Sequence, residues 1–480
     1  MKPFRQTMVL SIRPIFCLLI LATAASGQKA PLTFHVAPKP LPKGAVVEDW
    51  PRFLGAHDNA TSKETKLLKH WPEGGLKKVW ELATGEGYAC PILAEGKLVY
   101  FHRLQSEDED ASSSAGKEVI DCLDPETGKS HWRFSYPVNY RDRYGFSPGP
   151  RSSPVVHKGR IYVIGVTAMF HCLDLKTGDV IWKRDLKKDY NIPKYFFGYG
   201  PTPTVWNDRV IVNVGGKAAK EAESVCVAAL DTATGKTLWE VKDKWGASYA
   251  SPIVAKLRGK NCAIVAAAGE SRPAHGGLLT IDAISGKVYD RFPWRSDIYE
   301  SVLASSPLVM GDRRVYLGEC YSRGGIVLEF DENLKSKVLW QERFFGMHWT
   351  MPILLEGHLY GFAGRNIPDT QFKCANAETG KILWENDMQW RKDGRTHGLF
   401  RASMLQADGR IFCLGEDGAL AELKLTPKGP ETIQRVRLFA ARSTWTLPSL
   451  HRGLLYVSQN EHDLVTRQPP RIICYDFRGE

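Results

Sequence analysis

The chain lacks several features that mark common classes of protein. Its one apolar run, residues 15–22, is shorter than the roughly 20 residues that a membrane-spanning helix needs. Lysine plus arginine outnumber aspartate plus glutamate by 64 to 53, but the basic residues are spread along the chain. That spread argues against a nucleic-acid partner. The sequence also contains neither an H-E-x-x-H motif nor a C-x-x-C-H haem-attachment motif.

The first 27 residues have the pattern of a secretory signal. Basic residues precede the apolar run and small residues follow it at 25–27. We therefore expect cleavage before Gln28, with an uncleaved anchor as the alternative. The mature protein is then expected in the periplasm or the medium, with no membrane span.

Cysteine is present, but its placement argues against a disulfide framework. Nine of the ten cysteines lie beyond the apolar run, which is an odd number. Four of them stand two residues before the Asp or Asn that opens a turn: Cys122, Cys172, Cys374 and Cys474. Because cysteine is small and apolar, this repeated position favours packing in a tight strand over pairing.

A ten-residue phrase recurs through the chain. Its clearest copies are "LDPETGKSHW" (123–132), "LDLKTGDVIW" (173–182), "LDTATGKTLW" (230–239) and "ANAETGKILW" (375–384). Asp or Asn can cap a turn and Gly can close it, so each copy predicts a hairpin with Trp on the returning strand. Weaker copies occupy 281–290, 330–340 and 425–439. We expect each Trp to pack over the neighbouring blade and its turn glycine.

A second hairpin phrase precedes each of these and occurs eight times, so each unit holds four short strands. Units recurring every 44–57 residues are typical of a β-propeller; a solenoid is the alternative. We predict an all-β, eight-bladed propeller of four-stranded antiparallel blades over residues 77–480. The strand at 77–82 should complete the last blade and close the ring. Residues 28–76 form a Pro-rich lead-in, interpreted as a tether or as a strap over the ring.

The phrase D-x-x-T-G-x-x-x-W resembles the tryptophan-docking repeat of the PQQ-binding-like propeller family. That superfamily holds quinoprotein alcohol dehydrogenases, which bind pyrroloquinoline quinone (PQQ) and calcium. It also holds non-catalytic propellers such as the lipoprotein scaffold of outer-membrane protein assembly. The dehydrogenase branch clamps its quinone with two adjacent cysteines opposite a Trp, and this sequence has no Cys-Cys pair.

Candidate binding residues follow from the repeat. The position three residues before each blade's leading Pro, or before its equivalent Met404, should project into the mouth of the axial channel. Its large members are Tyr88, Arg151, Tyr249, Trp349, Arg401 and Trp445. Aromatic faces and guanidinium groups could form a ligand funnel, or the same side chains could plug the channel.

Three glutamates follow equivalent glycines in the loops after the second strands: Glu270, Glu319 and Glu416. Converging carboxylates could hold calcium, but a calcium site needs six or more oxygens and solvated loop residues are the alternative.

These observations predict a monomeric, exported, non-catalytic propeller that binds a protein, peptide or glycan partner through its loop-rich face. The alternative is a PQQ-dependent dehydrogenase of alcohols or sugars.

Overall fold

The computed structural model describes residues 32–105, 114–270, 275–366, 369–392 and 394–480. The predicted signal and its cleavage site lie outside these residues. The described part begins with two strands of the last blade, β1 (Leu32–Phe34) and β2 (Lys78–Ala83). No helix within these ranges is both long enough and apolar enough to cross a membrane.

The strands then follow in blades of four, each blade an antiparallel sheet with its strands in chain order. Blade 1 holds β3 (Ile92–Ala94), β4 (Lys97–Gln105), β5 (Ala115–Leu123) and β6 (Ser130–Asn139). Blade 2 holds β7 (Val155–His157), β8 (Arg160–Ile164), β9 (Met169–Asp174) and β10 (Val180–Asp185), followed by the short helix α1 (Leu186–Tyr190). Blade 3 holds β11 (Thr204–Trp206), β12 (Arg209–Val212), β13 (Val225–Asp231) and β14 (Thr237–Lys242), with a 3₁₀ turn at Glu221–Glu223.

Blade 4 holds β15 (Ile253–Leu257), β16 (Lys260–Ala267), β17 (Gly277–Asp282) and β18 (Val288–Pro293). Blade 5 holds β19 (Leu308–Met310), β20 (Arg314–Glu319), β21 (Gly324–Phe330) and β22 (Ser336–Glu342). Blade 6 holds β23 (Ile353–Leu355), β24 (His358–Ala363), β25 (Gln371–Asn376) and β26 (Ile382–Asn386). A two-stranded hairpin, β27 (Gln389–Lys392) and β28 (Arg395–Gly398), separates it from blade 7.

Blade 7 holds β29 (Ser403–Ala407), β30 (Arg410–Leu414), β31 (Ala419–Thr426) and β32 (Gly429–Arg437). Blade 8 takes β33 (Ser449–His451), β34 (Leu454–Gln459) and β35 (Arg471–Asp476) from the end of the chain. Its fourth strand is β2, which pairs with β35 from Lys78↔Tyr475 to Ala83↔Arg471. The predicted eight-bladed propeller and its closure by an N-terminal strand are confirmed.

The recurring tryptophans dock neighbouring blades to each other, as predicted. Trp384 is an exception to the predicted glycine contact, because it covers no turn glycine of the described residues and instead donates its Nε1–H to Thr426 O of the next blade at 2.9 Å. Five other rings cover the turn glycine of the following blade so closely that a Cβ there would lie within 3 Å of the ring. The pairs are Trp80 with Gly128, Trp132 with Gly178, Trp182 with Gly235, Trp239 with Gly286, and Trp340 with Gly380. Burying such a ring stabilises the fold by about 2–3 kcal/mol. These tryptophans therefore have a structural role.

The repeated cysteines lie opposite these tryptophans. The register pairs Cys122 with Trp132 and Cys172 with Trp182, at the point where a bulge shifts each ladder. All nine cysteines in the described ranges are free, and the four repeated ones are buried. A small side chain is needed there because the large indole occupies the facing position. The prediction of packing over disulfide pairing is confirmed.

The lead-in segment runs back along the propeller. β1 adds a fifth strand outside β2, which covers the outer edge of the closing blade. Farther along, Trp50 is buried and forms a bridge with Leu93 of the inner strand β3. Glu64 is also buried, and its carboxylate accepts hydrogen bonds from backbone N–H groups of the turn before β34, with Gly453 N at 2.8 Å. The described part of the lead-in thus crosses the face that carries the short turns.

Candidate functional site

A cavity of about 380 Å³ opens at the mouth of the axial channel. All six large side chains of the predicted funnel line it: Tyr88, Arg151, Tyr249, Trp349, Arg401 and Trp445. They meet because each lies at the same register position just before an inner strand. The ring of blades places equivalent positions at the same level along the propeller axis. Sequence reasoning therefore located the cavity, whereas ligand binding there stays a prediction.

The cavity wall is a continuous set of aromatic faces. The ring centroids of Trp349 and Trp445 lie 4.5 Å apart, and Tyr88 stacks on Trp445 at 5.3 Å. The guanidinium of Arg401 lies over both indoles, 4.6 Å and 5.0 Å from their centroids. Such a wall offers π faces for stacking and a cation beside them.

Two of the three arginines of the cavity are already paired. Arg151 Nη2 donates to Asp142 at 2.7 Å, and Arg401 Nε donates to Glu416 at 2.8 Å. The third, Arg365, lies 4.6 Å from the ring centroid of Tyr321. Within the described ranges its guanidinium forms no ion pair with a carboxylate. Arg365 is therefore the cation of the cavity that is free to meet an anion.

A further set of aromatic residues, which the repeat pattern did not predict, comes from the loops between blades. Tyr144, Phe146, Phe196 and Phe197 also line the cavity. They belong to the segments "DRYGFSPG" and "PKYFFGYG", whose aromatic content is the signal that could have found them. The rings form one contact chain, with Phe146 at 5.6 Å from both Phe197 and Trp445.

The base of the cavity comes from the lead-in. Phe53 lines both this cavity and a smaller space of about 30 Å³ next to it, which is lined by Trp349, Thr350 and Met404. Val156 of the inner strand β7 donates its N–H to Pro51 O at 2.9 Å, which fixes the segment across the channel. The cavity thus faces the loop-rich side, and the lead-in lies below it.

The three predicted metal-binding glutamates are each held by separate protein donors. Glu416 accepts from Arg401 Nε and from Trp445 Nε1, both at 2.8 Å. Glu319 accepts from Ser296 N at 3.0 Å and pairs with Arg295. These donors direct hydrogens at the oxygens that a cation would need.

Glu270 completes the set, accepting from Phe196 N and from the Tyr249 hydroxyl, both at 2.6 Å. Among the described residues no group of three His, Cys, Asp or Glu side chains could hold a metal ion. The arrangement therefore does not fit the calcium ion that the resemblance implies.

Glu270 nevertheless has a distinct environment. Burial raises its pKa to about 7, although the bonds from Tyr249 and Phe196 favour the ionised form. Its two oxygens join the loop that carries Phe196 to the cavity residue Tyr249. Glu270 therefore supports the cavity wall from behind.

The quinone clamp is also missing from the cavity. No cysteine of the described residues lines it; Cys320 lies on a neighbouring surface depression with Ser322 and Asp369. Trp349 and Trp445 could stack on a planar ring, but the cysteine pair that would cover its other face has no counterpart. The residues present supply one half of the quinone site that the dehydrogenase branch uses.

A pattern resembling a hydrolase nucleophile also occurs beside the cavity. Residues 145–149 read Gly-Phe-Ser-Pro-Gly, which matches G-x-S-x-G. That motif requires a turn between a strand and a helix, but Ser147 lies in a loop between β6 and β7. Its Oγ accepts from Gly149 N at 3.1 Å. The local structure therefore does not make Ser147 a nucleophile.

Fold and site together define a PQQ-like β-propeller with an aromatic cavity at its loop-rich mouth. A family model described as outer membrane protein assembly factor BamB matches residues 116–368, more than half of the chain. The chain belongs to this family of PQQ-like propellers.

Solved structures of two kinds share the fold. BamB from Moraxella catarrhalis is 15% identical with a TM-score of 0.52, over 84% of this chain and 98% of that one. The quinohemoprotein alcohol dehydrogenase from Comamonas testosteroni is 14% identical with a TM-score of 0.57, over 90% of this chain and 81% of that one. At such identities the likeness shows the fold alone.

One curated relative matches a shorter stretch. Quinohemoprotein alcohol dehydrogenase ADH-IIG from Pseudomonas putida is 29% identical over 123 residues, which is 25% of this chain and 16% of that protein. The match thus spans a small part of that relative's length.

Proposed function

We propose that this protein is an exported, non-catalytic propeller that binds a partner molecule through the cavity of its loop-rich face. The observation that carries the proposal is the continuous aromatic and arginine wall, which opens among loops that differ from one repeat of the chain to the next. Binding sites are commonly built from such loops on a rigid scaffold. The donor-filled carboxylates and the incomplete quinone clamp support a binding role over a catalytic one.

The family description also supports a binding role, because it names an assembly factor. Assembly factors act by contacting other proteins, so a protein or peptide partner is the favoured ligand class over a glycan. The proposal also assigns 1–27 to a cleaved signal, 28–76 to the lead-in and 77–480 to the propeller, acting as a monomer. Mass spectrometry of the exported protein should find a chain that begins at Gln28.

The alternative is a quinoprotein oxidoreductase, which the dehydrogenase structures sharing this fold motivate. Purified protein incubated with PQQ and calcium should reduce no electron-accepting dye when alcohols or sugars are supplied. Turnover above the rate of a heat-inactivated sample would overturn the non-catalytic proposal. Quenching of tryptophan fluorescence by PQQ without turnover would show only that the cavity accepts a planar anion.

Two substitutions test the cavity itself. Trp349→Ala and Arg401→Ala should abolish partner binding while the melting temperature changes little. A matched stack outside the cavity provides the control, since Arg435 lies 4.5 Å over the ring of Trp390. Trp390→Ala and Arg435→Ala should leave binding intact. A large loss of stability in the cavity variants with no change in binding would identify those side chains as a plug.

A further inference from the structure

A second depression lies next to the aromatic cavity, because the guanidinium of the cavity residue Arg151 lies 6.0 Å from the ring centroid of Tyr140, which lines the depression. Its volume is about 300 Å³, and it is formed by the segments around Tyr140 and Tyr195. Tyr144 of the first segment contacts Phe196 and Phe197 of the second, with ring centroids 5.6 Å and 5.4 Å apart. We call these three rings the ridge: they line the aromatic cavity, and their chain neighbours Arg141 and Tyr195 line the second depression.

The second depression is basic. Arg141, Lys187 and Lys194 line it and are exposed. The neighbouring carboxylates are engaged elsewhere, because Asp142 pairs with Arg151 and Asp189 pairs with Arg184. We call this depression the basic groove. Among the described residues none of its three cations forms an ion pair, which leaves them available to an anionic partner.

The mouth of the cavity exposes more aromatic surface than a small ligand could cover. Tyr144 is 54% exposed, Phe146 40% and Tyr299 42%. All three belong to connections between blades on the loop-rich face. Clustered exposed apolar side chains mark an interaction surface. Tyr299 does not line the cavity, so a ligand confined to its 380 Å³ would leave part of this fringe in water, which favours a macromolecular ligand.

We propose that the cavity and the basic groove form one site for an acidic peptide segment that carries an aromatic anchor. The inference rests on the proposed function and adds the chemistry of the partner. The anchor ring enters the cavity and stacks on Trp349 and Trp445. An acidic residue beside it meets Arg365, and acidic residues farther along cross the ridge to Arg141 and Lys194. Charge complementarity of this kind governs the rate and specificity of association.

The test uses synthetic peptides and the fluorescence of the cavity tryptophans. One peptide has a central phenylalanine flanked on each side by three aspartates or glutamates. Matched peptides replace every acid by its amide, or replace the phenylalanine by alanine. The acidic phenylalanine peptide should bind, and each matched peptide should bind at least tenfold more weakly. Its affinity should also fall as salt is raised.

Charge variants locate the acidic flank. Arg141→Gln combined with Lys194→Gln should weaken binding of the acidic peptide by about two- to thirtyfold, since each of the two exposed charges contributes roughly 0.2–1 kcal/mol. The control pair, Lys129→Gln with Lys176→Gln, removes the same charge from exposed turns of the opposite face. That pair should leave the affinity unchanged. Arg365→Gln should weaken binding of the acidic peptide but not of its amide counterpart.

The outcomes separate this inference from the proposed function. Equal binding of the acidic and amide peptides would overturn the acidic preference and leave the binding proposal standing. Binding of an anionic polysaccharide with no binding of either peptide would overturn the peptide class. Absence of binding to the unaltered protein, with binding regained after the acids at 107–110 are replaced by amides, would assign the groove to this chain's own segment and refute an external partner. Dye reduction with PQQ would refute both proposals.

Discussion

The docking of each tryptophan on a turn glycine predicts how two nearly identical glycine substitutions should differ. Gly235 and Gly159 both lie in hairpin turns at φ +69°. A Cβ at Gly235 would lie 2.8 Å from two ring carbons of Trp182, whereas a Cβ at Gly159 would meet no atom within 4 Å. Gly159→Ala therefore measures backbone strain alone, and Gly235→Ala adds the clash between blades.

The expected magnitudes follow from these two causes. Placing alanine in the left-handed region costs about 1–2 kcal/mol, and overpacking a tight contact costs about 1–3 kcal/mol more. Gly235→Ala should therefore destabilise the protein by about 1–3 kcal/mol beyond Gly159→Ala. With an unfolding entropy of about 2.1 cal/mol/K per residue, each kcal/mol lowers the melting temperature of this chain by about 1 °C.

Amide hydrogen exchange is the sharper assay, because it reports opening of the contact between blades 2 and 3 locally. Peptides from β10 and β13 should exchange roughly 5- to 140-fold faster in Gly235→Ala than in Gly159→Ala, since 1.4 kcal/mol corresponds to a factor of ten. Equal exchange in the two variants would refute the docking argument.

Three further predictions follow from single side chains. Trp182 Nε1 donates to a backbone carbonyl at 3.1 Å, while Trp239 Nε1 has no partner among the described residues. Trp182→Phe should therefore lower the free energy of unfolding, measured by calorimetry, by about 0.5–1.5 kcal/mol more than Trp239→Phe does. Equal decreases in the two variants would contradict this. Burial raises the pKa of Glu270 to about 7, so the folded state is favoured at acidic pH and loses stability as pH rises through 7. Glu270→Gln, which mimics the protonated form, should remove this loss between pH 5 and 8; an unchanged profile would show that another group causes it. Glu64→Ala should leave the buried Gly453 N–H without its acceptor and make 36–76 sensitive to limited proteolysis, whereas equal resistance would mean that other contacts hold the lead-in.

The sequence predicted the blades because each depends on local chemistry. The Asp-to-Gly turn and the docking Trp lie within one ten-residue phrase, and the phrase recurs from blade to blade. The structure predicted for one copy therefore applies to the others. Ring closure also followed, because β35 needed a partner and 77–82 was the available strand. The six funnel residues were found by register alone, since Tyr88 and Trp445 hold the same place relative to their inner strands.

The hydrogen bonds behind the cavity wall and the aromatic loops around the cavity were not predicted from the sequence, for a physical reason. Glu416 was interpreted as a possible calcium ligand, yet its oxygens are taken by Arg401 and Trp445. All three residues lie at repeat positions, but the repeat pattern does not show that the loop after a second strand folds back onto the residue before an inner strand. The aromatic loops at 144–146 and 196–197 are likewise irregular, so no repeat pattern indicates which way their rings point.

The sequence by itself therefore determined the number of blades, the closing strand and the ring of residues at the channel mouth. Those features arise from short-range signals repeated around a closed ring. The tertiary structure decided which cations stay free, how the lead-in places Phe53 beneath the cavity, and where the basic groove meets the aromatic wall. Such contacts join segments that are distant along the chain, and their geometry exists once the whole ring has closed.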